Sequence, residues 1–253
     1  MTKASSTQQI TLSQETLSAL KALYEIDQSL KIDHKQTEKD DDDGKTLTVL
    51  RSKSFNNTTC MRVTIPEQFS RDINIYDLRE FISVVSIVNE PIFDLSNDNY
   101  ILIKSVDGKQ KLRYLEANPD LINSFAPKDP SLKSVDETII VTESQFKSVL
   151  TAAQTLKFEY IGFEGDGENI ILSTFNKTQG SDQETNNYSI TLTETDKKFK
   201  MIYKISLQKV NILAGEGDLM FSIDGKKKIS EIHTSSSKKY WITFDASSEY
   251  DIE

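Results

Sequence analysis

The sequence predicts an α+β protein built twice over, each half carrying two helices packed on one face of a mostly antiparallel sheet. Three observations predict this. Four stretches show helical periodicity, each led into by a strand-like run. Four Asp-Gly pairs are flanked by alternating apolar residues, and a proline-bearing stretch divides the chain near its middle.

The first helix is expected over Ser13–Asp27, with Leu17, Leu20 and Tyr24 on one stripe, Leu23 and Ile26 beside it, and Ile10 and Leu12 alternating before it. The second is Tyr76–Asn89, with Leu78, Phe81, Ile82, Val85 and Val88 at helix spacing after Ile73 and Ile75. The third is Glu143–Lys157, with Phe146, Val149, Leu150, Ala153 and Leu156; Thr142 and Gln145 read as its capping box. The fourth is shorter, Ser206–Ala214, with Leu207, Val210 and Leu213, and Gly215 where a terminating glycine is expected. The pairs Asp43-Gly44, Asp107-Gly108, Asp166-Gly167 and Asp224-Gly225 read as hairpin turns, because Asp-Gly favours positive backbone dihedrals.

Corresponding helices recur about 130 residues apart, so the duplication rests on order and spacing, not on shared identities. An N-terminal domain over 1–116 and a C-terminal domain over 137–253 are expected, joined by a connector over 117–136 that holds Pro119, Pro127 and Pro130. Residues 1–9 look like an extension, and the acidic loop 36–44 like a solvated insertion.

Bulk properties narrow the function classes. A 37% hydrophobic, 27% charged chain of 253 residues suits a soluble globular protein. No apolar run reaches the roughly 18–20 residues of a membrane span, and the first ten residues lack a signal-peptide core. Cys60 is the only cysteine, in keeping with a reducing cytosol. The net charge of −9 argues against gripping phosphates over the whole surface, though not against a basic inner face.

Catalytic equipment is missing. His34 and His233 lack Cys or His neighbours, and Gly225-Lys226 lacks the rest of a phosphate-binding loop. No serine sits in a nucleophile elbow. Asp40–Asp43 with Gly44 fails as a calcium loop, because Lys39 and Leu50 stand where oxygen ligands are needed. No metal, no cofactor and no enzymatic activity are expected.

The polar stripes of the helices carry Lys21, Arg79, Lys147, Lys157 and Lys209, with the hydroxyl and amide groups Ser18, Ser83, Ser86, Ser148, Thr151, Gln154 and Gln208 between them. Glu15, Asp77 and Glu143 sit in first turns, where the helix dipole favours them whatever the function. These stripes read either as ordinary solvated faces or as a weakly basic lining for a sliding duplex.

Ile75–Asn89 (IYDLREFISVVSIVN) closely resembles the second helix of T-even-type phage sliding clamps. Asn118–Leu132, Thr174–Gly180, Tyr188–Leu192 and the segment from Phe199 through Tyr240-Trp241-Ile242 resemble the same family in the same order. That resemblance implies a clamp fold and a closed head-to-tail homotrimer with its helices facing encircled double-stranded DNA. It implies as partners the replicative DNA polymerase, an ATP-driven clamp loader and late-transcription factors, in the cytoplasm of an infected bacterial host. Lys21, Arg79, Lys147, Lys157 and Lys209 would then face DNA. Leu121, Ile122 and Phe125 in the connector, with Trp241 as a weaker candidate, would form a pocket for a partner's apolar tail. The connector residues read equally well as a staple holding the segment onto its own sheets. A non-enzymatic β-rich interaction or virion protein would share the hairpins but has no need of four regularly placed helices.

Overall fold

The computed structural model describes residues 9–40, 43–177, 184–234 and 238–250, with the side chains of 184 and 185 outside that description. The extension up to residue 8, residues 41 and 42 of the acidic loop, and the 178–180 end of the Thr174–Gly180 stretch lie outside the described residues. The chain divides into two compact units, residues 1–55 with 61–129 and residues 56–60 with 130–253.

The first unit runs β1 (Gln9–Thr11), α1 (Gln14–Ile26), β2 (Leu30–Ile32), β3 (Thr37–Lys39), β4 (Thr46–Lys53), β5 (Thr59–Ile65), β6 (Ile73–Ile75), α2 (Leu78–Ile87), β7 (Pro91–Asp94), β8 (Tyr100–Ser105) and β9 (Lys111–Leu115). β1, β7, β8 and β9 form an antiparallel sheet in that order, β2 pairs β6, and β4 lies between β3 and β5. The helix stripes drive the packing: Leu20, Leu23 and Ile26 of α1 and Phe81 and Val85 of α2 are almost completely buried. Phe81 meets Tyr114 edge-on at 5.1 Å and Phe93 at 6.1 Å, tying α2 to its sheet. Burial around the Tyr114 phenol, with nearby acidic groups, pushes its pKa up to about 12.

The second unit runs β10 (Glu137–Val141), α3 (Glu143–Leu156), β11 (Tyr160–Asp166), β12 (Asn169–Lys177), β13 (Glu184–Glu194), β14 (Lys198–Lys204), α4 (Ile205–Gln208), β15 (Leu219–Asp224), β16 (Ile229–Thr234), β17 (Lys239–Thr243) and β18 (Glu249–Tyr250). One antiparallel sheet has the order β13-β12-β11-β14-β18, and another contains β10, β15, β16 and β17 as consecutive neighbours. Phe146 of α3, Phe163 of β11 and Phe221 of β15 interlock, with Phe221 4.9 Å from Phe163 and 6.4 Å from Phe146. The fully enclosed Tyr203 hydroxyl is satisfied by Ser230 Oγ at 2.7 Å.

Three expectations change: the fourth helix, the acidic loop and one of the Asp-Gly turns. The fourth helix is not continuous: α4 ends at Gln208, Lys209 turns left-handed at φ 52°, and a separate 3-10 turn covers Val210–Leu213. Thr58 and Thr59 hydroxyls and the Asn56 amide donate to the Leu207 and Gln208 carbonyls, taking acceptors that a continuing helix would use. Gln208, expected on the polar face, is buried with its Oε1 accepting from Lys204 N at 2.8 Å, and Leu207 is 48% exposed instead. The acidic insertion is also more than a loop. Its Thr37–Lys39 stretch pairs antiparallel with β4 as β3, and Glu38 takes a hydrogen bond from Arg62.

Of the Asp-Gly turns, Gly44, Gly108 and Gly167 adopt positive φ as the hairpin reading requires. Gly225 does not; in its turn Lys228 takes the left-handed conformation. The Asp224 carboxylate is fully buried and accepts from Lys133 N at 2.7 Å and Lys227 N at 2.9 Å. Burial alone would raise its pKa, but these backbone donors hold it below the ordinary carboxylate value.

Candidate DNA-facing helices and partner surface

Each long helix is anchored at its start so that its polar stripe is presented to solvent. Ser13 Oγ accepts from Thr16 N at 3.1 Å, and the remote Glu67 carboxylate accepts from Ser13 N at 2.6 Å and from the Thr16 hydroxyl. Asp77 caps α2 through Glu80 N at 2.9 Å. Thr142 and Gln145 form the expected reciprocal box on α3, at 3.3 and 3.0 Å. Glu67 has no sequence signal, because it lies far from the helix it caps.

Lys21 on α1, Arg79 on α2 and Lys147 on α3 are exposed. Lys157 is exposed as well, as the left-handed C-cap of α3 at φ 56°. Lys209 differs: it lies in the break after α4 and is only half exposed. The hydroxyls on α2 and α3 lie close to the helix backbone. Ser83 donates to Arg79 O, Ser86 to Ile82 O, Thr151 to Lys147 O and Thr155 to Thr151 O, all at 2.7–2.8 Å.

The connector divides between the units. In the first, Ser124 is fully buried, donating to Ser29 O at 2.7 Å, while its carbonyl accepts from Lys53 N at 2.8 Å. Gln36 Nε2 donates to Pro127 O at 3.0 Å, and Asp129 pairs with Arg51. In the second unit, Lys133 and Ser134 hang from Asp224, and Asp136 N donates to Ile223 O at 2.8 Å. These bonds hold each part of the connector to its own unit. The apolar candidates separate accordingly: Leu121 is 55% exposed, Ile122 is buried, and Phe125 is half-buried with Lys31 Nζ 4.9 Å from its ring centroid. Trp241 is 3% exposed, with Nε1 donating to Glu231 Oε2 at 2.9 Å, so it offers no open wall.

Among the described residues, Asp33, His34 and Asp72 form one compact group of metal-ligand types. Its atoms already have partners: His34 Nδ1 meets Asp72 Oδ1 at 2.7 Å, Lys31 Nζ lies 3.1 Å from Asp72 Oδ2, and Asp33 accepts from Lys35 N. An ion-pair network accounts for it. No helix among the described residues is long and apolar enough to cross a membrane.

No protein-family model matches the chain. It is 24% identical over 203 residues to the sliding clamp of Escherichia phage RB69, covering 80% of this chain and 87% of that protein. It is 22% identical over 203 residues to the sliding clamp of Enterobacteria phage T4, with the same coverage. Its fold is similar to that of A. fulgidus PCNA, solved with the C-terminal region of FEN-1, at a TM-score of 0.64 and 12% identity over 97% of this chain and 98% of that one. Sequence relatives and fold agree over most of the length: the chain is similar to phage sliding clamps and shares the PCNA-like clamp fold.

Proposed function

We propose that this chain encircles double-stranded DNA as one subunit of a closed homotrimer and tethers the phage replicative DNA polymerase, without catalysing a reaction itself. The observation that carries this is the sequence likeness to phage sliding clamps across 80% of the chain, joined to a clamp fold over nearly all of it. Exposed Lys21, Arg79, Lys147 and Lys157 supply diffuse attraction to phosphates without reading bases, and the half-exposed Lys209 adds to it.

Two open sheet edges support the assembly. β9 exposes Lys111, Arg113 and Leu115 on the edge of its sheet, and β13 presents a long edge that ends in exposed Glu194. Pairing β9 of one subunit with β13 of the next is heterologous, and closing the circle removes both edges. An ATP-driven clamp loader opens the trimer, and late-transcription factors share it with the polymerase in the host cytoplasm. Residues 117–136 act as the interdomain connector, where Leu121 remains available to a partner.

Light scattering and DNA retention test the reading. A particle of about three times 28.7 kDa should stay on nicked circular DNA after loading and run off linear DNA. A monomer at tens of micromolar, or equal loss from both DNAs, would overturn it.

A further inference from the structure

We infer that the back-bonded hydroxyls of α2 and of α3 give each of these helices, within its own unit, a polar face whose hydroxyls offer no proton outward, over which a phosphate backbone passes without being pinned by them. The inference rests on the DNA-facing reading above and deepens it.

Every hydroxyl on these two helices is engaged within the protein. On α2, Ser83 and Ser86 donate to the carbonyls of Arg79 and Ile82, both at 2.8 Å. On α3, Thr151 and Thr155 donate to Lys147 O at 2.7 Å and Thr151 O at 2.8 Å. Ser144 is paired with Thr142 Oγ1 at 3.1 Å, whereas Ser148 and the Tyr188 hydroxyl share a single bond at 2.8 Å that uses one of their two protons, so the inference is confined to the four back-bonded hydroxyls. Ser83, Ser86, Thr151 and Thr155 are nevertheless exposed.

A hydroxyl whose proton points at the carbonyl one turn back presents only lone pairs outward. Phosphate oxygens are acceptors, so these four back-bonded hydroxyls have no directional bond to make to them. A short side chain folded against the helix also lies beneath the reach of Lys147 and Arg79, whose long stems meet the phosphates first. Attraction then comes from mobile, hydrated cations, while charge-assisted bonds that would fix one register are not offered by the hydroxyls. Exposed amides in place of these four groups would add friction to the attraction; back-bonded hydroxyls keep water at the surface without it.

The test follows fluorescently labelled, loaded trimers along DNA by single-molecule tracking. The donor-free set Ser83→Ala, Ser86→Ala, Thr151→Val and Thr155→Val should diffuse within about twofold of the parent, because no contact is lost. A donor-bearing set, Ser83→Asn, Ser86→Asn, Thr151→Gln and Thr155→Gln, should slow diffusion by roughly threefold to tenfold through transient amide–phosphate bonds. Circular dichroism checks that both sets retain their helices. A change beyond about twofold in the first set, or slowing of less than about threefold in the second, overturns the inference while leaving retention on circular DNA intact. Parental protein that leaves circular and linear DNA equally fast overturns the clamp reading itself, and this inference with it.

Discussion

Placing a single methyl group on Gly225 should dislodge the last strand of the second unit. A Cβ there would lie 2.3 Å from Tyr250 Cγ, 2.6 Å from Cδ2 and 2.7 Å from Cβ, closer than packed carbons can sit. Tyr250 cannot yield without loss. Its ring stacks on Phe199 at 5.6 Å and 18°, its hydroxyl donates to Asp136 O at 3.0 Å, and its backbone registers β18 against β14. Expelling the ring forfeits about 1 kcal/mol for the hydrogen bond and about 1 kcal/mol for the stacked pair, besides buried area. Gly225→Ala should therefore destabilise the protein by about 2–3 kcal/mol. Gly225 does not have the positive φ of the other Asp-Gly glycines, so alanine meets no backbone penalty of its own. In a Tyr250→Ala background the same substitution should cost less than about 0.5 kcal/mol. Urea unfolding at one fixed protein concentration, followed by the buried and sole Trp241, measures all corners of the cycle. Equal cost in both backgrounds would refute the reasoning, since the penalty would then come from the backbone and not from the ring.

Asp94 accepts from Lys104 Nζ at 2.7 Å and from Ser96 Oγ at 2.7 Å, and these bonds lower its pKa from 3.8 to about 2. A carboxylate held below its unfolded value stabilises the fold fully above pH 3.8, and that contribution disappears as pH falls toward 2. Asp94→Asn should cost about 2 kcal/mol near pH 7, with the gap to the parent narrowing below about pH 4; a pH-independent gap in thermal or urea unfolding would contradict this. Under the proposed clamp role, reversing Lys21, Arg79, Lys147, Lys157 and Lys209 to Glu together should lower polymerase processivity severalfold while the mass of the assembly is unchanged, with the deficit shrinking at high salt. Unchanged processivity would place these residues away from DNA. Leu121→Ser, at an exposed position, should leave stability within about 0.5 kcal/mol of the parent yet weaken binding of the polymerase's C-terminal peptide. Full affinity in that variant would move the docking site off the connector.

Local periodicity and local chemistry were enough to fix much of this protein. The stripes of α1, α2 and α3 bury most of the residues their spacing selects, because an amphipathic helix has one face to hide; Leu17, Tyr24 and Ile82 are only half-buried, and Leu156, at the end of α3, is 54% exposed. Thr142 and Gln145 cap α3 as written, since a capping box needs only neighbours. Three Asp-Gly pairs turn as their dihedral preferences require. The family likeness was legible too, because it lies in consecutive residues.

What the sequence left to the tertiary structure depends on groups far apart along the chain. The fourth helix breaks because Thr58 and Thr59, about 150 positions upstream, take carbonyls that periodicity assigns to helix propagation. Glu67 reaches the N-terminus of α1 only when folding brings it there. Gly225 repeats the hairpin motif, yet space for Tyr250 is what it provides, and only the closed fold reveals that demand. Leu121, Ile122, Phe125 and Trp241 have similar apolar character on paper; packing leaves Leu121 exposed, half-covers Phe125, and buries Ile122 and Trp241. Periodicity describes a segment's own preference, whereas exposure and cap partners are set by whatever else arrives beside it, and that is decided by the whole chain at once.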